Sequence, residues 1–375
     1  MTQYLWQYPE WTNFRWNNER ILATVGECRL LQGKLLGRVA GLGLPLENQA
    51  QTEILVEETL KTAAIEGENL NMKAVQSSVA RKLGLPSAGL PVDRHVDGLV
   101  SVLLDATKNH DEPLTVKRLF GWHAALFPTG YSGMHKIMVG KWRETKSVRV
   151  VSGTVGHEIV HFEAPSSDRI PVEIDRFLGW WKESRANVEG LLRAAIAHFW
   201  FVTVHPFEDG NGRIARALTD MAIAQDDRQS LRYYSLSSQI MAEREAYYDI
   251  LERCQKGNGD ITEWLVWFLG CFCRAINRSE KLLAAVLDRA AFWKSHVQGS
   301  LSERQHKVIN RMLDAGRGGF EGGLTTRKYV SMANVSRATA FREMYQLVKL
   351  GILRQNPGRG RSASYELNWG ETASP

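Results

Sequence analysis

The run His205-Pro206-Phe207-Glu208-Asp209-Gly210-Asn211-Gly212-Arg213-Ile214-Ala215-Arg216 gathers side chains that could carry out chemistry together. His205 is the one group here whose ordinary pKa suits taking a proton near neutral pH. Gly210-Asn211-Gly212 frees the backbone at a predicted helix start, where unpaired N–H groups and the helix dipole favour a phosphate. Arg213 and Arg216, three apart, share one side of that helix and can add charge-assisted bonds to further phosphate oxygens. Asp209 offers a hard oxygen to a magnesium ion, which takes few carboxylates and completes its shell from substrate phosphates. Each residue alone has a plainer reading as a hydrogen-bonder, a turn or a solvated charge. Within one dozen positions they predict a base beside a bound phosphate.

The elements that must position this run are helical. Apolar residues recur at helical spacing over Ile21 to Leu36, Gln51 to Ile65, Val92 to Lys108 and Thr115 to Phe127. The pattern resumes over Ile174 to Glu183 and over Leu191 to Val204, the latter apolar on nearly all sides and so central in the core. Ile214 to Gln225, Glu243 to Gln255 and Ile261 to Arg278 follow. Between the helices, β-branched residues and glycines from Val139 to Glu163 predict a hairpin or irregular flap, the one substantial strand structure before the tail.

The chain has 375 residues, 44% of them hydrophobic, enough for two or three domains with a sizeable core. No basic-then-apolar leader and no apolar run long enough for a bilayer is present, which predicts a soluble, cytoplasmic protein with no membrane partner. Cys28, Cys254, Cys271 and Cys273 are few and scattered, and read as reduced core residues. From Leu301 to Pro375 there are twelve Lys/Arg against six Asp/Glu, which accounts for the whole net charge of +6. Such a tail suggests a separate module with an anionic partner.

The run from His205 resembles the Fic family, whose pattern His-x-Phe-x-Asp/Glu-Gly-Asn-Gly-Arg-x-x-Arg is met at every defined position by His205, Phe207, Asp209, Gly210, Asn211, Gly212, Arg213 and Arg216. The resemblance implies a mainly α fold: a helical bundle with a β-hairpin flap, followed by a winged helix-turn-helix domain. It implies an N-terminal helical region at 1–90, a catalytic core at 91–285 and a winged helix at 286–375. The implied activity is a nucleotidyltransferase, moving AMP from ATP onto a Ser, Thr or Tyr hydroxyl of a target protein and of itself. His205 would be the base, Phe207 the anchor of its loop, and Asp209 the ligand of Mg2+. A branch of the fold that transfers the terminal phosphate carries lysine at the second glycine of the turn, and Gly212 speaks against it. Val155, Gly156, His157 and Glu158 stand where the family's flap meets nucleotide and target, a hairpin edge suited to strand addition by an extended segment. Tyr247, Tyr248 and Gln255 fall where relatives surround adenine and ribose, Gln255 departing from the usual asparagine.

Thr62-Ala63-Ala64-Ile65-Glu66-Gly67 resembles the family's inhibitory pattern, on a helix at about 51–67. A Glu66 carboxylate paired with Arg216 would occupy the place of the γ-phosphate. In some relatives the same glutamate orients water for the reverse removal of AMP. Tyr4 to Trp16, with tryptophans at 6, 11 and 16, resembles a leader ahead of many bacterial Fic cores, of a role the residues do not give. In the tail, Glu303 to Leu313, Thr325 to Met332 and Ser336 to Leu350 are helical in pattern, and strands flank Pro357 to Arg361. That outline places Arg337, Thr339 and Arg342 on a recognition helix and Arg359 and Arg361 on a wing, suiting DNA or a protein partner. The alternative function is a DNA-binding transcriptional regulator with the core as a regulatory or vestigial module. Family cores also pair through their helices, which implies a homodimer.

Overall fold

Amphipathic spacing and side-chain caps turn most of this chain into helix, as the computed structural model describes for residues 3–40, 44–86, 89, 91–146, 148–152, 159–230, 232–296, 301–316, 318–357 and 363–370. Two compact units result, 1–280 and 281–375.

In the first unit a short 3-10 turn at Leu5–Gln7 precedes α1 (Asn18–Ala40), α2 (Leu44–Ile65), α3 (Met72–Lys82), α4 (Arg94–Lys108) and α5 (Val116–Leu126). The Asn71 side chain starts α3 by accepting from the N–H groups of Lys73 and Ala74, and Asp93 does the same for α4. After the two-residue strands β1 (Tyr131–Ser132) and β2 (His135–Lys136) comes the flap, β3 (Arg149–Ser152) paired antiparallel with β4 (Ile159–Glu163). Arg149 lies opposite Glu163 and Ser152 opposite Ile159, with an irregularity between Val150 and Val151. The helices α6 (Ile170–Asn187), α7 (Gly190–Val204), α8 (Asn211–Asp227), α9 (Leu236–Ala242) and α10 (Arg244–Gln255) follow, and α11 (Thr262–Ser295) begins in this unit and ends in the next.

As its composition predicts, α7 is buried along its whole length. It packs along α8, itself buried from Arg213 to Gln225, and Trp264 of α11 donates its indole N–H to the Ala195 carbonyl at 2.9 Å.

The structure departs from the sequence expectation in five places. The predicted flap of 139–163 shrinks to β3 and β4, because Arg143 holds the preceding stretch as a loop, its guanidinium donating to the His205 and Thr145 carbonyls at 2.8 and 2.7 Å. The helices α3 and α9 and the β1–β2 pair are additional elements, of which α9 and the two-residue strands are too short to show a period. The last long helix of the first unit continues past Arg278 to Ser295.

The second unit holds α12 (Glu303–Asp314), α13 (Thr326–Ala333) and α14 (Arg337–Lys349), then β5 (Leu353–Gln355) paired antiparallel with β6 (Tyr365–Leu367). Val308, Ile309, Met312, Leu324, Tyr329, Met344, Leu347 and Leu367 form its core. Three helices and a hairpin follow in the order expected from the sequence, while Arg359 and Arg361 lie outside the described residues. Among the described residues no helix is long and apolar enough to cross a membrane.

Candidate functional site

His205 ends α7 in the left-handed region, φ 49° and ψ 59°, a conformation that a bulky residue holds only when its surroundings impose it. Arg143 imposes it from one side, donating from Nε to the His205 carbonyl and from its backbone N–H to the Pro206 carbonyl at 3.0 Å. Phe207, fully buried, anchors the loop from the other. Its ring stacks on His123 with centroids 4.2 Å apart and planes 8° apart, and Trp142 lies 4.9 Å away. Asn211 closes the loop, accepting from the Phe207 N–H and donating to its carbonyl, both at 2.9 Å. Its side chain is therefore engaged in holding the loop.

Two histidines here have defined tautomers. His205 Nδ1 lies 3.3 Å from the Val202 carbonyl, an acceptor only, so Nδ1 carries the proton and Nε2 is the basic nitrogen. Burial lowers the pKa of His205, against the Val202 contact, with Arg143 also lowering it and Glu66 and Asp209 raising it. His123 Nδ1 accepts from the Gly140 N–H at 3.1 Å, so its Nε2–H donates to the Asp209 carbonyl at 3.2 Å. Burial pushes His123 down to about 4, keeping it neutral.

The helix α8 opens at Gly210, φ 80°, with no side chain capping its N-terminus. A Cβ there would meet the Phe127 ring at 2.9 Å, so both backbone and space require glycine. At Gly212 a Cβ would lie 2.3 Å from Glu66 Oε1, which places the Glu66 carboxylate directly against the first turn of α8. The same oxygen accepts from Arg216 Nη2 at 2.8 Å. Arg216 also donates from Nε to the Thr62 hydroxyl at 2.6 Å and from Nη2 to the Thr62 carbonyl at 2.9 Å. Arg213 donates to Glu68 at 2.8 Å and lies 3.5 Å from Asp209. Both arginines are 1% exposed, and Arg216 Nη1 and Arg213 Nε have no partner among the described residues. An uncapped helix start and buried guanidinium nitrogens without acceptors make an anion site, and Glu66 fills it.

The turn that carries Glu66 is held at both ends. Glu58 on α2 accepts from the Ser235 hydroxyl at 2.8 Å and the Ser237 N–H at 3.2 Å, and Arg244 donates to the Ile65 carbonyl at 3.0 Å. Beyond it, Glu68 bridges Arg213 and His95, whose Nε2 lies 2.9 Å away and whose Nδ1 contacts the Leu126 carbonyl at 3.0 Å. Asp209 stands beside the anion site, accepting from the Gly210 N–H at 2.5 Å and from the Ser132 hydroxyl. Among the described residues no three His, Cys, Asp or Glu side chains are grouped to hold a metal by themselves.

Of the other predicted residues, Tyr247 and Tyr248 stand close enough to Arg216 and Glu66 for those charges to act on their hydroxyls, and Gln255 lies on the same helix. Tyr247 is buried, its hydroxyl 2.8 Å from His198 Nε2, and Gln255 donates to the Thr203 hydroxyl at 3.2 Å. Tyr248 packs its ring under the Arg244 guanidinium, 5.0 Å away. Val155, Gly156, His157 and Glu158 lie outside the described residues. The sequence reading did not identify His123, Arg143, Glu68 and His95; of these only Glu68 carries a local signal, a second acid two positions after Glu66.

Two family patterns match this chain: a domain of unknown function (DUF4172) over residues 4–85 and the Fic/DOC family over residues 113–223. The chain is similar to "Protein adenylyltransferase Fic" of Culex quinquefasciatus, 24% identical over 233 residues that cover 61% of this chain and 42% of that protein. To the protein of the same name from Nematostella vectensis it is 25% identical over 248 residues, covering 65% and 52%. The chain thus spans about half, or less, of the length of these relatives. A crystal structure of a Fic family protein from Desulfovibrio desulfuricans G20 shares its fold, with a TM-score of 0.52 and 19% identity over 95% of this chain and 97% of that one. The helix-ending histidine, the uncapped glycine turn and the two buried arginines all fall inside residues 113–223, the segment of this chain that matches the Fic/DOC family.

Proposed function

We propose that this chain transfers AMP from ATP to a hydroxyl side chain of an acceptor protein, and that Glu66 holds the reaction in check. The observation that carries the reading is the anion site at the start of α8, which has buried arginine nitrogens without acceptors and is filled by a carboxylate of the chain itself. Relatives called protein adenylyltransferases support the class of reaction.

In this mechanism the acceptor hydroxyl gives its proton to His205 Nε2, which burial keeps unprotonated and so able to take it. The oxygen forms a bond to the α-phosphorus as the bond from that phosphorus to the bridging oxygen of the β-phosphate breaks, and pyrophosphate leaves with the electron pair. The free N–H groups of the first turn of α8, with Arg213 and Arg216, stabilise the charge that gathers on the phosphate oxygens. Asp209 is the residue that would hold a magnesium ion, since its single carboxylate suits an ion that draws further ligands from phosphates and water. Such an ion would supply charge neutralisation. Glu66 opposes all of this by occupying the guanidinium that a terminal phosphate needs.

The Glu66→Gly protein, incubated with magnesium and ATP labelled at the α-phosphate, should incorporate at least about tenfold more label than wild type, one paired charge being worth that much. His205→Ala in that background should lose it by about 100-fold or more. Label taken only from γ-labelled ATP, or equal label in wild type and Glu66→Gly, would overturn the proposal.

A further inference from the structure

The leader at residues 4–16 touches the flap. Its 3-10 turn is locked by reciprocal bonds, the Tyr4 N–H to Gln7 Oε1 at 2.7 Å and the Gln7 N–H to the Tyr4 carbonyl at 3.0 Å. From that turn Tyr4 sets its ring edge-on to Phe162 of β4, centroids 5.4 Å apart, and both rings are buried with Ala164. Trp6 donates its indole N–H to the Glu163 carbonyl at 2.7 Å. The turn is tied in turn to the body of the unit. Arg169 donates to the Trp6 carbonyl at 3.1 Å, stacks its guanidinium on the Trp6 ring and donates to Glu173 at 2.6 Å, while the fully buried Glu173 also accepts from the Trp11 indole at 3.1 Å.

The direction of the Trp6 bond matters. The Ala164 N–H donates to the Val148 carbonyl at 2.9 Å, toward the β3 side of the hairpin. In a trans peptide the C=O and N–H of one unit point oppositely, so the Glu163 carbonyl faces away from β3, along the outer edge of β4. Trp6 therefore occupies that edge, and α10 lies against the same strand, with His161 paired to Glu252 at 2.5 Å. An extended segment that adds to this hairpin has the outer edge of β3 as its pairing side.

We propose that Tyr4 and Trp6 are positioning residues for the acceptor protein: they fix the exit of β4 and close its outer edge, and so set how tightly an acceptor segment pairs with the flap, without acting on ATP. This rests on the reading of the chain as an AMP transferase that receives its acceptor at the flap.

Two measurements on the full chain test it. Amide hydrogen exchange reads the flap without any reaction. In Trp6→Phe, which keeps an aromatic ring and removes the N–H, and in Tyr4→Ala, exchange across 148–164 should quicken by about fivefold, the worth of one hydrogen bond, with α7 and α8 unchanged. In the Glu66→Gly background, with β-casein as acceptor, the same substitutions should raise the KM for casein by about fivefold and leave kcat and the KM for ATP as they were. Unchanged exchange in the flap, or a fall in kcat or a rise in the KM for ATP with the casein KM unmoved, overturns the proposal. No AMP transfer from Glu66→Gly carrying the native leader sinks the transferase reading instead, and the exchange data then still decide whether the leader locks β4.

Discussion

The helices α8 and α14 look alike on paper: each opens after a turn-forming residue and each carries two arginines in its early turns, Arg213 and Arg216 against Arg337 and Arg342. Their structures differ at both points. Ser336 caps α14 with its own hydroxyl, accepting the Thr339 N–H at 3.2 Å, and Arg337 and Arg342 stand exposed, where water satisfies them. No side chain of its own caps α8; Glu66 arrives from the turn after α2, and the arginines are buried with nitrogens left over. A helix that caps itself and shows its charges to solvent has no unmet demand for an anion. One that leaves its amides and buried guanidinium groups to a distant carboxylate has such a demand, and that demand is the ground for proposing a site there.

The comparison can be pressed first on the aromatic residue near each arginine pair. Phe207 is fully buried between His123 and Trp142, whereas Phe341 of α14 is 65% exposed. Phe207→Ala should cost about 3–5 kcal/mol of stability through the cavity it leaves, and Phe341→Ala should stay within about 0.5 kcal/mol. Urea unfolding of both variants reads the difference, and equal losses would break the contrast.

The next test is on the arginines. In the Glu66→Gly background Arg216→Met should lower AMP transfer by about 100-fold, the scale of removing one donor to developing charge, and Arg342→Met should leave it within about twofold. If the two variants transfer alike, burial does not mark the functional pair.

The loop from His205 to Arg216 was readable because its chemistry is contiguous: a base, a glycine turn and two arginines at helical spacing need no knowledge of the fold to be seen together. Glu66 was readable from a shorter pattern, and the structure sets its carboxylate on Arg216. The remaining residues around the loop belong to other elements and act through single backbone contacts. Arg143 and His123 shape the loop by meeting the His205 and Asp209 carbonyls, and a contact to a carbonyl leaves no mark on the sequence of either partner. Gln255 and Tyr248 sit on an amphipathic helix, where spacing gives the side of the helix and tertiary packing alone chooses the neighbour, here Thr203 and Arg244. In α14 the Ser336 cap stands at the first residue of the helical pattern read from the sequence, because a cap is a local property of three or four residues.

The smallest expected effect concerns what holds each helix's acidic neighbour. Glu343 of α14 is held by Arg304 at 2.9 Å and the Tyr329 hydroxyl at 2.7 Å, neither of which changes charge near neutral pH. Glu68, on the turn that fills the α8 site, is held by His95 as well as Arg213. The bond to Glu68 raises the His95 pKa above its ordinary 6.5, against its burial and the nearby Arg213 charge, with the Leu126 carbonyl helping to raise it. Because the folded value is the higher one, the stabilisation from this pair is fully present below pH 6.5 and is lost as the pH rises through the raised value. The His95 side chain is 33% exposed, so solvent screening keeps the effect below about 1 kcal/mol. Thermal melts from about pH 5 to about pH 9 should therefore show wild type above His95→Gln at the acid end and the two curves converging at the alkaline end. A gap that is constant across the range would assign His95 a packing role only. A gap that widens with pH would mean that the imidazole is neutral when bound, leaving Arg213 as the only positive charge on Glu68.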